Sequence, residues 1–363
     1  MTPTQPVAQP VAQPPAQPVA RQVGPPAQQN SRVAPGQPTS RPARRESGLL
    51  KGASPLQFGP RLSADELRYS LAHRLTPRDR DLLHALARLG VLTAPQVAQA
   101  FFQTECRARK RLVELVRLGA LGRFRPHRES WGSHPYHYVL GPAGAAVVAA
   151  DRGDDPARTR KRLLASRVIA LSRTQRLQHL VGVNGVWAAL TGRARREEGA
   201  ELTLWVGEAR CAAWTKGIVR PDAYLEWSAG SHAAECFVEF DRGTERLHRL
   251  TAKLAGYERF EAERGAAAWV LFAFTSARRE ATARRALAGA TVPLATAALC
   301  DGQTAADAGW APIDRNERMR LEELARLRLP PGSQSRVAEG RGRGWRFDRS
   351  RFDDTEEAPI DMS

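Results

Sequence analysis

The run Arg220-Pro221-Asp222-Ala223-Tyr224, followed after a Gly-containing turn by Val238-Glu239-Phe240-Asp241-Arg242-Gly243-Thr244, decides how the second half of this chain folds. With the turn centred on Gly230-Ser231, Asp222 falls opposite Glu239. The same register sets Ala223 against Val238, Tyr224 against Phe237 and Leu225 against Cys236. Side chains alternate along a strand, so Glu239 and Asp241 share a face, and the apolar residues gather as a half-buried hairpin requires. Three carboxylates on one patch of sheet are the oxygen-rich kind of site that suits Mg²⁺ or Mn²⁺.

Working outward, a long helical stretch runs from about residue 165 to 196 and carries His179 and Asn184. These two are five apart and so do not stack on one face. His179 is either an ordinary helix histidine or a residue approaching the acids. Strand signals follow near 202–206, 218–227 and 235–241, then a helix over 245–264. A buried-looking strand at 269–274, another helix and a last strand around 293–299 complete the pattern. The order α-β-β-β-α-β-α-β predicts an α/β (α+β) domain with a mixed sheet over residues 165–310. Lys253 lies on the helix after the acids, on a stripe with Arg246 and Arg249. It either brings an ammonium to the acids or belongs to a solvated face. Asp241 is either a third ligand or a cap for the following helix.

The preceding segment, 71–150, has a different rhythm. Thr76-Pro77 caps a helix carrying Leu82, Leu83, Leu86 and Leu89, which Gly90 stops. Thr93-Ala94-Pro95 starts a second helix. A third, from Thr104, buries Leu112, Leu115 and Val116 and turns Arg107, Arg109, Lys110 and Arg111 outward. Two strand-like runs, 121–125 with Arg123 and Arg125 and 136–140, follow around a polar loop with His127, His134 and His137 nearby. Helix, turn, cationic helix and hairpin in this order resemble the winged helix-turn-helix family of DNA-binding domains. In that family the third helix enters the major groove and the wing touches backbone.

Composition points the same way. The 363 residues carry a formal net charge of +17 and a pI near 10.8. The Arg-rich clusters are local, so double-stranded DNA is the expected partner. Residues 1–70 read QPVA-QPVA-QPPA-QPVA at Gln5–Ala20 and have little to bury, which predicts a disordered tail. A second, Gly/Arg-rich then acidic tail is expected over 330–363. The four cysteines form no CxxC pair, which excludes a zinc framework and suits a reducing cytoplasm. No apolar run approaches the ~18–20 residues of a membrane span, so a cytoplasmic protein with no membrane partner is expected.

The second domain resembles the PD-(D/E)xK nuclease superfamily, by its element order, its aspartate after proline and its acid one strand later. That resemblance implies Asp222 and Glu239 as metal ligands and a metal-activated water attacking a phosphodiester. Where that family carries a lysine two residues after the acid, this chain has Asp241. Lys253 is then the relocated cation, with Arg242 a weaker substitute. Over roughly 75–300 the chain resembles the replication-relaxation proteins of actinobacterial plasmids and conjugative elements, through the 75–140 segment, the 219–224 and 238–245 runs, Lys253 and Tyr257. The resemblance implies a role in plasmid replication and DNA relaxation, either as a metal-dependent nicking enzyme or as a non-enzymatic regulator or accessory factor. A relaxase or another plasmid transfer protein is the implied protein partner, and a homodimer is a further option.

Overall fold

The computed structural model describes residues 54–58, 71, 73–126, 134–155, 158, 175–264 and 267–327. Most of the tail expected over 1–70, all of that over 330–363, and His127 lie outside these residues. One part of the N-terminal expectation is corrected: Ser54–Gln57 forms a strand, β1, paired antiparallel with β3 (Leu121–Arg125).

Helix α1 (Pro77–Leu89) starts where the sequence says it should. Thr76 accepts from the Asp79 N–H while Asp79 reaches back to the Thr76 N–H, a capping box with proline in the first turn. Thr93 and Gln96 repeat the device at α2 (Ala94–Phe101), and Thr104 caps α3 (Glu105–Arg117). Strand β2 (Leu92–Thr93) precedes α2, and β4 (His137–Leu140) returns beside β3. These strands make a four-stranded sheet in the order β1-β3-β4-β2, followed by α4 (Pro142–Arg152).

Helix α5 (Gln175–Ala194) leads into the larger sheet. The strands are β5 (Ala200–Gly207), β6 (Ala223–Ala229), β7 (His232–Asp241), β8 (Trp269–Phe274), β9 (Leu294–Ala298) and β10 (Ala311–Pro312). Their spatial order is β10-β9-β8-β7-β6-β5. The β7-β8 and β8-β9 pairs are parallel and the others antiparallel, the mixed sheet that was expected. The β6-β7 register is also the expected one, with Ala223 opposite Val238, Tyr224 opposite Phe237 and Leu225 opposite Cys236. Helices α6 (Glu208–Trp214), α7 (Leu247–Arg264), α8 (Ala277–Leu287) and α9 (Leu321–Arg326) complete the domain. Strand character was expected from Ile218; the strand begins five residues later, at Ala223, because α6 and a turn take up the preceding residues. Helix α6 itself was not foreseen. Its Ala-rich core is only seven residues long, and Cys211 and Trp214 bury it.

The two faces of the large sheet pack differently. Tyr224, Phe237 and Phe272 meet Leu250, Leu254 and Leu287 of α7 and α8. On the other face Val238, Phe240 and Leu271 join Val186 and Trp187 of α5. That same cluster runs on through Phe101 and Leu112, so the segments expected as separate domains, 71–150 and 165–310, share one apolar core. Polar bonds reinforce the junction. Asn184 Nδ2 donates to the carbonyls of Leu89 and Val91 at 3.1 and 2.6 Å, and Gln96 Nε2 donates to that of Val181 at 2.7 Å. Asn184, unremarkable in sequence, is thus a buried strut.

Candidate functional site

Strands β7, β8 and β9 run parallel, and β6 begins at the edge where β7 ends. In open α/β sheets that carboxyl edge is where ligands are received. Asp222, Glu239 and Asp241 all stand there. Asp222 is fixed three ways: its N–H donates to the Val238 carbonyl, Oδ2 accepts from the Phe240 N–H at 2.7 Å, and Oδ1 lies 2.8 Å from His179 Nε2 on α5. Of the two options open for His179, the structure places it against the acids. Its ring also meets the Phe240 ring edge-on at 6.0 Å between centroids. Burial alone would lower the imidazole pKa, but the Asp222 carboxylate outweighs it and raises it.

Glu239 is 2 % exposed. Oε1 accepts from the Tyr257 hydroxyl and Oε2 from the Lys253 ammonium, each at 2.6 Å. Burial, and next the nearby Asp222 charge, push its pKa up to about 7 against the lowering effect of Lys253 and Tyr257. For Lys253, burial acts downward, but Glu239, Asp222 and Glu245 outweigh it and raise the pKa, so the ammonium persists at neutral pH. Lys253 and Tyr257 stand one turn apart on α7, which is how a single helix brings a cation and a hydroxyl to one carboxylate.

Asp241 is not brought into this group. It shares the sheet face with Glu239, but Arg279 of α8 takes its Oδ2 through Nε at 3.0 Å and Nη2 at 2.7 Å, and Oδ1 accepts from the Gly243 N–H. Gly243 has a φ of 82°, the left-handed region glycine tolerates, which folds its N–H back onto the carboxylate. Asp241 therefore neither caps α7 nor joins Asp222. Among the described residues no three His, Cys, Asp or Glu side chains are grouped to hold a metal ion. In the remaining pair, Asp222 and Glu239, each carboxylate oxygen has a partner within the protein: the Phe240 N–H and His179 for Asp222, Tyr257 and Lys253 for Glu239.

The cations expected to meet DNA divide into two groups. On α3, Arg107, Arg109 and Lys110 are exposed, while Ala108, Leu112 and Leu115 fill the core behind them. Arg111, from the same run, points inward: Nη2 lies 2.6 Å from Oδ2 of the fully buried Asp79, and Nη1 bonds Glu114 at 2.6 Å. The spacing explains this, since Arg111 lies three residues after the buried Ala108 and four before the buried Leu115, on their side of the helix, and faces the capping box of α1. Arg123 and Arg125 flank one ring, their guanidinium carbons 4.6 and 3.8 Å from the Tyr136 centroid. His137 is buried in β4, its Nδ1 2.9 Å from the Pro135 carbonyl, and burial lowers its pKa to about 4. It is a core residue rather than a loop contact, which alternation at the strand start did not reveal.

A family model described as replication-relaxation matches residues 83–269, just over half of the chain. The match begins in α1 and ends at the start of β8, so it spans both the α3 cations and the Asp222–Glu239–Lys253 cluster. No curated protein and no solved structure matches. Among the described residues no helix is long and apolar enough to cross a membrane.

Proposed function

The chain belongs to the replication-relaxation family, and from that premise we propose that it is a DNA-binding protein acting in the replication or relaxation of a plasmid or conjugative element. Residues 71–150 serve as a winged helix whose α3 lies in the major groove. The carboxyl edge of the large sheet receives a phosphodiester. The observation that carries this function is the outer face of α3, where Arg107, Arg109 and Lys110 stand exposed over a closed apolar core. Guanidinium and ammonium groups so placed neutralise phosphate and read guanine edges.

At the sheet edge, each group has a distinct task in strand nicking. His179 and the Phe240 N–H hold the Asp222 carboxylate in one orientation, and Tyr257 does the same for Glu239. Lys253 keeps a proton and offers positive charge to the phosphate oxygens as negative charge grows on them in the five-coordinate transition state. Asp222 and Glu239 would hold Mg²⁺ or Mn²⁺, which supplies Lewis acidity and lowers the pKa of bound water.

One observation favours a second function, that of a non-enzymatic accessory factor. Asp241, not lysine, follows Glu239 by two residues, and its charge is neutralised by Arg279. In that case the same edge binds DNA without cutting it, or docks a relaxase.

Supercoiled plasmid incubated with the purified full chain and Mg²⁺ or Mn²⁺ separates the two. Open circles that disappear in Asp222→Asn and in Glu239→Gln establish the nicking function. Duplex binding with no nicking, unchanged in both variants, establishes the accessory one. Duplex binding by the wild type that an Arg107→Ala/Arg109→Ala/Lys110→Ala variant loses supports the α3 interface, and absence of duplex binding by the wild type itself removes both functions.

A further inference from the structure

We infer that the chain carries a second DNA-backbone surface, separate from α3, built from Arg246 and Arg249 at the start of α7 and Arg278 at the start of α8; this rests on the DNA-binding function proposed above. Most arginines of the large domain have partners of their own. Arg279 bonds Asp241, Arg264 bonds Glu235, Arg318 bonds Glu280 and Arg193 bonds Glu322. The side chains of Arg246, Arg249 and Arg278 are exposed and make no hydrogen bond, ion pair or ring contact with the described residues.

Their positions do not help the fold. All three stand at or beside the first turn of a helix, where the peptide dipoles present positive charge, and a cation there is destabilising. The first turn of α7 contains no acidic residue to compensate. The acid in the first turn of α8, Glu280, is buried and engaged by Arg318 and Thr296. Unpaired cations kept where they oppose the helix field are local violations of the kind that functional surfaces retain.

Their direction is equally specific. On α7 Arg249 and Lys253 stand one turn apart on one stripe, Arg246 immediately precedes the helix, and Lys253 touches Glu239. At a rise of about 1.5 Å per residue, Arg249 precedes Lys253 by roughly 6 Å along the axis. Helix α8 starts beyond the end of β8, next to the end of β7. The three free cations therefore stand at the two helix starts that adjoin the carboxyl ends of β7 and β8, the mouth proposed for the Asp222–Glu239 site. They lie on the sheet face opposite α5, the helix against which α2 packs. A duplex backbone running over them is delivered to that mouth, while α3 holds DNA from the other layer of the molecule. The ligand is defined by charge alone, so this surface is indifferent to base sequence.

The test is fluorescence anisotropy with a labelled DNA duplex across a salt series, using the full chain, an Arg246→Ala/Arg249→Ala/Arg278→Ala variant, the α3 triple-alanine variant and their combination. Each phosphate contact contributes about 0.9 to the slope of log K against log salt. The α7/α8 variant is expected to lose about 2 to 3 in slope, to melt at or slightly above the wild-type temperature because three cations no longer oppose the helix dipoles, and to weaken binding further in the α3 background. Replacing the same three arginines by lysine retains the slope, because a point charge suffices. Wild-type binding with an unchanged slope in the α7/α8 variant overturns the second surface and leaves the α3 function standing. Absence of duplex binding by the wild-type chain overturns both.

Discussion

Lys253 Nζ lies 2.6 Å from Glu239 Oε2, joining a helix to a strand fourteen residues earlier in the chain. The pair brings a persistent ammonium to the acid of β7, although no lysine stands two residues after that acid. Lys253→Met leaves Glu239 with Tyr257 as its remaining side-chain donor and with Asp222 still nearby. The variant should unfold about 3 kcal/mol more easily, the lower end for breaking a buried pair because Lys253 is one-third exposed. Lys253→Arg should recover most of that loss. Denaturant midpoints of the three proteins at neutral pH check it.

Glu239 gives a pH dependence of definite sign. Its folded pKa, about 7, lies above its ordinary value of 4.5, so between those values the folded state binds the proton that the unfolded state releases. Its contribution to stability is present at low pH and is lost as pH rises toward 7. Glu239→Gln cannot titrate, so its stability relative to wild type should climb across pH 4.5 to 7.5, by an amount on the order of 3 kcal/mol. Urea unfolding of both proteins at intervals across that range measures the difference. A flat or falling difference would show that Lys253 and Tyr257 hold the carboxylate ionised throughout.

Arg111 and Arg109, two residues apart on α3, should separate stability from binding. Asp79 is fully buried, and among the described residues Arg111 supplies its only cationic partner, at 2.6 Å. Burial alone would raise the Asp79 pKa, yet bonds from Arg111 and Thr76 hold it below the usual value. Arg111→Ala strands a buried charge at the start of α1 and should cost about 3 to 5 kcal/mol. Arg109→Ala removes an exposed side chain and should change stability by less than about 0.5 kcal/mol, while weakening duplex binding on all sequences. Thermal melts read beside anisotropy titrations distinguish the two effects.

What the sequence revealed follows from the range of the interactions. The caps at Thr76, Thr93 and Thr104 are local, and the β6-β7 register is set by one turn, so both could be read from spacing. Lys253 was legible only as one of two options, because i to i+4 spacing gives a stripe without saying what it faces. The partners of Asp241 and Arg111 were not legible. Arg279 and Asp79 lie 38 and 32 residues away, and only the packing of whole elements brings them in. The docking of α5 on α2 was hidden for the same reason, since Asn184 reaches Val91 across 93 residues.

Helix α5 has two positions where a side chain has no room, Gly182 against β7 and Gly192 against α2. A Cβ on Gly182 would stand 2.1 Å from Phe240 Cε1, and one on Gly192 would stand 2.4 Å from the Gln99 carbonyl oxygen. The two obstacles differ in kind: Phe240 is a ring that can rotate at some loss of packing, whereas the Gln99 oxygen belongs to the backbone of α2. Alanine raises helix propensity by roughly 1 kcal/mol over glycine, while overpacking costs about 1 to 3 kcal/mol. Gly182→Ala should therefore be nearly neutral to mildly destabilising in a denaturant titration, but it should shift the ring of Phe240, whose N–H holds Asp222. Gly192→Ala should be clearly destabilising, because α2 must move away from α5 to admit the methyl group. Hydrogen exchange at the α2 amides, faster in Gly192→Ala than in Gly182→Ala, would locate the damage at the junction; equal protection in both would show that α2 does not rest on α5 at that point.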